Sequence, residues 1–195
     1  MRARRLIPMA VFAVAAAASA FAQESGPDRE TVTALLNGKK VAVDYGRPAL
    51  HDRSVKAMLA QLPPNRVWRA GVNEATMLTT ESDLVIGGQK VPAGRYTLYL
   101  YAPETGNYSL LVNRDLGRPV GGGTDVSSAR MWPHIDDYPA IADKEVARVP
   151  LKSVAPATSM DRFLIGLAPA TAGASAITLT WGDQSWTADI KPAGK

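Results

Sequence analysis

The densest run of side chains able to do chemistry is Trp68-Arg69-Ala70-Gly71-Val72-Asn73-Glu74-Ala75-Thr76. An indole, a guanidinium, an amide and a carboxylate lie side by side in it. One reading is a site. Trp68 stacks a ligand, Arg69 grips an anionic group with its fork of donors, and Glu74 serves as general base or polar clamp. The other reading is a folding network in which Arg69 pairs with Glu74 or Asp44, Asn73 caps a turn, and Trp68 fills the core. Residue types alone leave both open. The string Tyr45-Gly46-Arg47-Pro48 poses the same question. Tyr45 ends a strand, Gly46 permits a sharp exit, and Arg47 either joins the polar group or follows a plain strand-ending turn.

The rest of the chain holds no familiar catalytic pattern. There is no Gly-x-Ser-x-Gly elbow, Ser-x-x-Lys pair or His-Glu-x-x-His, and the glycines at 121–123 are not followed by the Lys-Ser/Thr of a phosphate loop. The two histidines, His51 and His134, are far apart in sequence. His134, Asp136, Asp137 and Asp143 form a loose oxygen-rich group without the spacing of a calcium loop, and they read as a solvated loop face. Asn107-Tyr108-Ser109 has the glycosylation pattern, a triplet common by chance. Cysteine is absent, which excludes a disulfide framework, a thiolate zinc site, an iron–sulfur cluster, a cysteine nucleophile and a lipoprotein anchor. The expectation is no metal and no cofactor, with Glu74 as the candidate catalytic residue if there is one.

Elements that must position these residues follow from periodicity. Short β-prone runs alternate with Gly, Pro, Asn and Asp at intervals of about 8–12 residues, the pattern of an all-β domain. Residues 31–36 and 39–45 flank Asn37-Gly38, a strong hairpin signal because both residues tolerate positive φ. In the second arm Val41, Val43 and Tyr45 share one face. Residues 54–62 form the one helical piece, with Val55, Met58, Leu59 and Leu62 at helical spacing and Pro63-Pro64 as its stop. Strands are expected at 75–80, 84–86, 95–102, 108–113, 145–151, 162–167, 176–181 and 184–191. In the strand at 95–102, Tyr96, Leu98 and Leu100 face one way and Thr97, Tyr99 and Tyr101 the other, as in a central strand or one lining a groove. Residues 114–144 lack periodicity and read as one long loop, a length that is usually functional or disordered. The fold expected is an antiparallel β-sandwich of about nine or ten strands with one short helix and one long loop. The strands are too short, and the chain end too polar, for an outer-membrane barrel.

Residues 1–22 read as a secretory signal peptide. Arg2, Arg4 and Arg5 precede an apolar stretch, and Ala20-Phe21-Ala22 fits the small-x-small cleavage rule. The expected organisation is a leader at 1–22 and a single domain at 23–195, exported to the periplasm or secreted and spanning no membrane after cleavage. The whole chain carries 22 Lys plus Arg, 18 Asp plus Glu and a formal charge of +4. Losing the leader removes three arginines and leaves 173 residues at a net charge of +1. No basic stripe remains to bind nucleic acid.

Taken in order, Asp44-Tyr45-Gly46-Arg47-Pro48, then Val67 through Thr76, then Val91-Pro92-Ala93-Gly94-Arg95-Tyr96-Thr97-Leu98 resemble the "domain of unknown function 2911" family of exported bacterial proteins. The resemblance runs over about residues 31–190 and departs from the family pattern after Asn113, where the glycine-rich stretch intervenes. It implies export and a β-rich fold, and no mechanism. By position it marks Tyr45, Arg47, Trp68, Arg69, Asn73, Glu74 and Thr76 as the shared polar residues. Three functions remain open. The first is a noncatalytic module that binds a small molecule, glycan or peptide. The second is a hydrolase or isomerase using Glu74 as base with Arg47 or Arg69 stabilising charge. The third is a structural domain acting through a protein partner. Export has its own test. N-terminal sequencing of the protein recovered from its compartment is expected to begin at Gln23, and a chain that still begins at Met1 would overturn the leader.

Overall fold

The computed structural model describes residues 28–194 except 123, 125–129, 135 and 172–173. The leader expected at 1–22 lies outside the described residues. The chain folds as an antiparallel β-sandwich. Its first sheet contains β1 (Arg29–Leu36), β2 (Lys39–Gly46), β4 (Thr76–Thr80), β7 (Gly94–Tyr101), β8 (Ser109–Asn113) and β11 (Glu145–Pro150), hydrogen-bonded in that order. The two-residue β3 (Val67–Trp68) pairs with the end of β7. The second sheet runs β13 (Met160–Thr171), β14 (Ala174–Gly182), β15 (Gln184–Pro192), β5 (Leu84–Ile86) and β6 (Gln89–Val91), with β12 (Lys152–Val154) also on β15. Helix α1 (Val55–Ala60) connects β2 to β3.

Local chemistry accounts for the elements that carry a strong signal. Asn37 and Gly38 both take positive φ, 49° and 74°, so the first hairpin turns in two residues with β1 and β2 in register. Ser54 caps α1 by accepting a hydrogen bond from the Ala57 N–H at 3.1 Å. The helix is short and survives by burying Val55 and Leu59 against the sandwich. Between the sheets, Val41, Val43 and Tyr45 of β2 meet Leu78 of β4, Leu98 and Leu100 of β7, and Phe163, Leu179 and Trp186 from the opposite sheet. Tyr96, Leu98 and Leu100 do face this core, and Tyr99 faces the other side of the sheet.

The structure has fifteen strands among the described residues. Ten are those expected, and the other five are only two or three residues long, too short to show a period of two. The larger difference concerns residues 114–144, which are not one long loop. They contain the small antiparallel pair β9 (Arg118–Pro119) and β10 (Met131–Trp132), then a 3-10 helix at Tyr138–Lys144. This segment forms a third layer over the outer face of the first sheet. Met131 and Leu116 pack on Ala75 and Met77 of that face. Tyr138 and Ile141 pack on Tyr99 and Leu111, with the Tyr99 and Tyr138 rings edge to face at 4.9 Å. Polar contacts hold the layer down. Asn113 donates to the Ile141 carbonyl at 2.8 Å, and Lys144 pairs with Asp115 at 2.6 Å. Burial alone would raise the Asp115 carboxyl, but the Lys144 ammonium and the Gly117 N–H outweigh it and hold it below its ordinary value. Tyr99, aromatic on the outer face of β7, is therefore buried under this layer.

A covering layer that belongs to the core makes a measurable claim. Ile141→Ala removes a side chain only 4% exposed and is expected to cost about 2–4 kcal/mol in urea unfolding. A loss under about 0.5 kcal/mol, the usual size for a surface substitution, would show that the layer is not part of the cooperative fold.

Candidate functional site

Trp68 and Trp181 stack in parallel, ring centroids 5.0 Å apart with planes 8° from coincidence, and the edge of Phe163 meets Trp68 at 4.8 Å. Trp181 is buried and Trp68 half-buried. Both line a cleft of about 330 Å³ at one end of the sandwich. Pro48, Met58, Leu62 and Pro63 make up its apolar wall, and Arg69, Asn73 and Asp136 supply its charged and amide groups. The volume lies at the lower end of the range of about 300–1,000 Å³ typical of small-molecule pockets.

The polar wall is shaped by the turn after β3. Ala70 and Asn73 both sit in the left-handed region, φ 48° and 61°. Asparagine tolerates that conformation, and alanine does so at a cost of about 1–2 kcal/mol. Glycines explain how the turn closes. A Cβ on Gly46 would fall 2.1 Å from the Val72 carbonyl oxygen, and one on Gly71 would fall 2.8 Å from Thr76 Oγ1 and 3.1 Å from the Gly46 carbonyl. The turn thus lies backbone to backbone on the end of β2, at a distance no side chain permits. Fully buried Thr76 locks it from beneath by donating to the Ala70 carbonyl at 2.8 Å. Held this way, Arg69 donates from Nη1 to the Asn73 carbonyl at 2.8 Å, its one hydrogen bond among the described residues. Burial draws the Arg69 pKa below its ordinary value, and Asp136 acts in the opposite direction.

The expected site residues divide among four places. Trp68, Arg69 and Asn73 line the cleft. Thr76 is structural and lies behind it. Glu74 does not line the cleft and lies on the outer face of the first sheet, beside Arg29 and Arg130. Its carboxylate is 13% exposed and held between Arg130 at 2.8 Å and Arg29 at 3.6 Å. Arg29 also binds Asp44, from Nε at 2.7 Å, and donates to the Ala75 carbonyl at 2.8 Å. The partners suggested by sequence for Arg69, namely Glu74 or Asp44, are therefore taken by Arg29. Tyr45 and Arg47 sit at the seam between the two sheets. The Tyr45 hydroxyl donates to Glu30 at 3.2 Å and to the Ile165 carbonyl at 3.3 Å, while Arg47 pairs with Glu30 at 3.2 Å and reaches the Phe163 carbonyl at 3.4 Å. Burial pushes the Tyr45 hydroxyl well above its ordinary value, which keeps it a proton donor.

Sequence reasoning missed Trp181, Asp136 and the apolar wall. Trp181 alternates with Leu179 and Ile177 and reads as plain core, and only its stacking on Trp68 brings it to the cleft. Chemically the cleft offers an indole platform, one cation and one amide, with Asp136 as its carboxylate. Among the described residues no group of three His, Asp or Glu side chains could hold a metal ion. The histidine and aspartates of the covering layer do not converge. His134 instead faces Asp115 at 3.7 Å.

Fold and cleft together define an all-β sandwich with a ligand-sized, indole-lined pocket. Residues 27–190 match the model of the family described as "Protein of unknown function (DUF2911)", and the chain belongs to that family. No curated protein and no solved structure matches it.

Proposed function

We propose that this is an exported bacterial envelope protein, periplasmic or secreted, that binds a small molecule, glycan or peptide in the Trp68–Trp181 cleft without transforming it. The observation that carries this reading is the cleft itself. An aromatic platform, an apolar wall and a few convergent polar groups are the ordinary makings of a binding pocket. The catalytic alternative is weakened by the position of Glu74, whose carboxylate is paired with Arg29 and Arg130 and does not line the cleft. Export rests on the arginine-led apolar stretch and the Ala20-Phe21-Ala22 site at the start of the chain. No described helix is long and apolar enough to cross a membrane.

The reading is tested by titrating the chain lacking residues 1–22 with metabolites, glycans and short peptides, using calorimetry and thermal shift. At least one class is expected to bind. Trp68→Ala is expected to weaken it by about tenfold or more, equivalent to ~1.4 kcal/mol. Because Trp68 also packs on the core, Met58→Lys serves as a second probe, placing a charge on the apolar wall while the unfolding midpoint is followed. Absence of any ligand from the three classes, or binding that both variants leave intact, would refute the cleft as the site.

A further inference from the structure

We propose that the cleft's ligand is an aromatic carboxylate, with an apolar ring placed against the Trp68–Trp181 pair and its carboxylate bound by Arg69. The inference rests on the binding reading above and narrows it to a chemical class.

The walls supply the first argument. Of the twelve described lining residues, only Arg69, Asn73 and Asp136 carry a charge or an amide. The Trp181 indole N–H is already spent on the Asp161 carbonyl at 3.2 Å. A sugar presents hydroxyls on most of its edges, and each one buried against the apolar wall needs a partner that the wall does not offer. A flat ring loses nothing there and gains offset or edge contacts with indole. The free volume of about 330 Å³ is enough for one ring with a short side chain.

Charge supplies the second argument. Arg69 is the one cation lining the cleft among the described residues. Its hydrogen bond to the Asn73 carbonyl orients the guanidinium through a single donor of five and leaves the other donors without a hydrogen-bond partner among the described residues. Burial has already removed part of its water, so an incoming anion meets a group that is partly desolvated and pre-positioned. Asp136 is exposed and lies on the same wall. It supports the Arg69 charge in the empty cleft and competes with a bound carboxylate. The ring and the acid can come from a free aromatic acid or from the C-terminal aromatic residue of a peptide, and the two sources share the same recognition chemistry.

The experiment uses the chain lacking residues 1–22 and matched pairs of ligands: phenylacetate and indole-3-acetate against their amides, and N-acetyl-Gly-Phe against N-acetyl-Gly-Phe-amide, with neutral monosaccharides alongside. Calorimetry is expected to show each binding acid about tenfold or more tighter than its amide, the scale of a charge-assisted contact. Binding by the free acids alone assigns a metabolite, and binding by the peptide alone assigns a C-terminus. Arg69→Met is expected to bring acid and amide within about twofold. Arg69→Lys keeps charge without the fork and is expected to retain a reduced preference. Asp136→Asn is expected to tighten the acids severalfold. Thermal midpoints confirm folding, and Arg69→Lys stands in if Arg69→Met does not fold. Equal binding of acid and amide, or a preference that survives Arg69→Met, would overturn the proposal. Cleft-dependent binding of a neutral sugar with no binding of the acids would overturn it while sparing the binding reading. No binding by any probe, together with a negative wider panel, would remove both.

Discussion

Backbone touches backbone where the turn at 70–73 meets the end of β2, and most of the site's geometry descends from that contact. Gly46 and Gly71 lack the Cβ atoms that would keep the two chains apart, and Thr76 ties the Ala70 carbonyl down from β4. Ala70 and Asn73 are held in left-handed conformations that an unsupported turn would leave. With the turn pinned, Arg69 and Asn73 face the cleft. Pro48, two residues past the end of β2, also lines the cleft. The glycine-containing strings 44–48 and 67–76 are therefore two halves of one junction.

That junction divides the polar string between the cleft and an ion-pair cluster under the covering segment. Residues 70–74 form bends with Ala70 and Asn73 at positive φ, so strand alternation begins only with β4 at Thr76. Arg69 and Asn73 go to the cleft, while Glu74 goes to the outer face, where Arg29 and Arg130 hold it. Arg130 belongs to the segment that covers this face, and the Met131 carbonyl accepts from the Ala75 N–H at 2.6 Å. The same neighbourhood of β4 thus anchors the cover on one side and the binding turn on the other. Asp136 reaches the cleft from the covering segment, so the third layer contributes directly to the site. A cysteine-free chain has no covalent tie for these layers, and packing with ion pairs must hold them.

Local signals made much of the fold readable in advance. Asn37-Gly38 states its own turn, and alternation in Tyr96-Thr97-Leu98-Tyr99 states which residues meet the core. The two-residue β3 shows no period, because two residues cannot. The covering segment hid behind its glycines and prolines. Its apolar anchors Leu116, Met131, Tyr138 and Ile141 fall at irregular intervals that match neither strand nor helix. Of the site, Trp68, Arg69 and Asn73 were legible as a polar cluster beside an indole. Trp181 was not, because its strand alternation marks it as ordinary core and only tertiary packing brings it to Trp68. Glu74 was legible as reactive or as paired with Arg69, but its actual partners were not, since Arg29 and Arg130 lie far from it in sequence.

The division of one string between the cleft and the ion pairs with Arg29 and Arg130 is tested most directly by Glu74→Gln, read by ligand affinity and by unfolding midpoint together. Losing the carboxylate's charge weakens its hold on Arg29 and Arg130, and stability is expected to fall by about 1–3 kcal/mol. Affinity for whatever ligand the cleft takes is expected to stay within about twofold of the wild type, since Glu74 does not line it. A variant of unchanged stability that no longer binds would place Glu74 in the site and contradict the account.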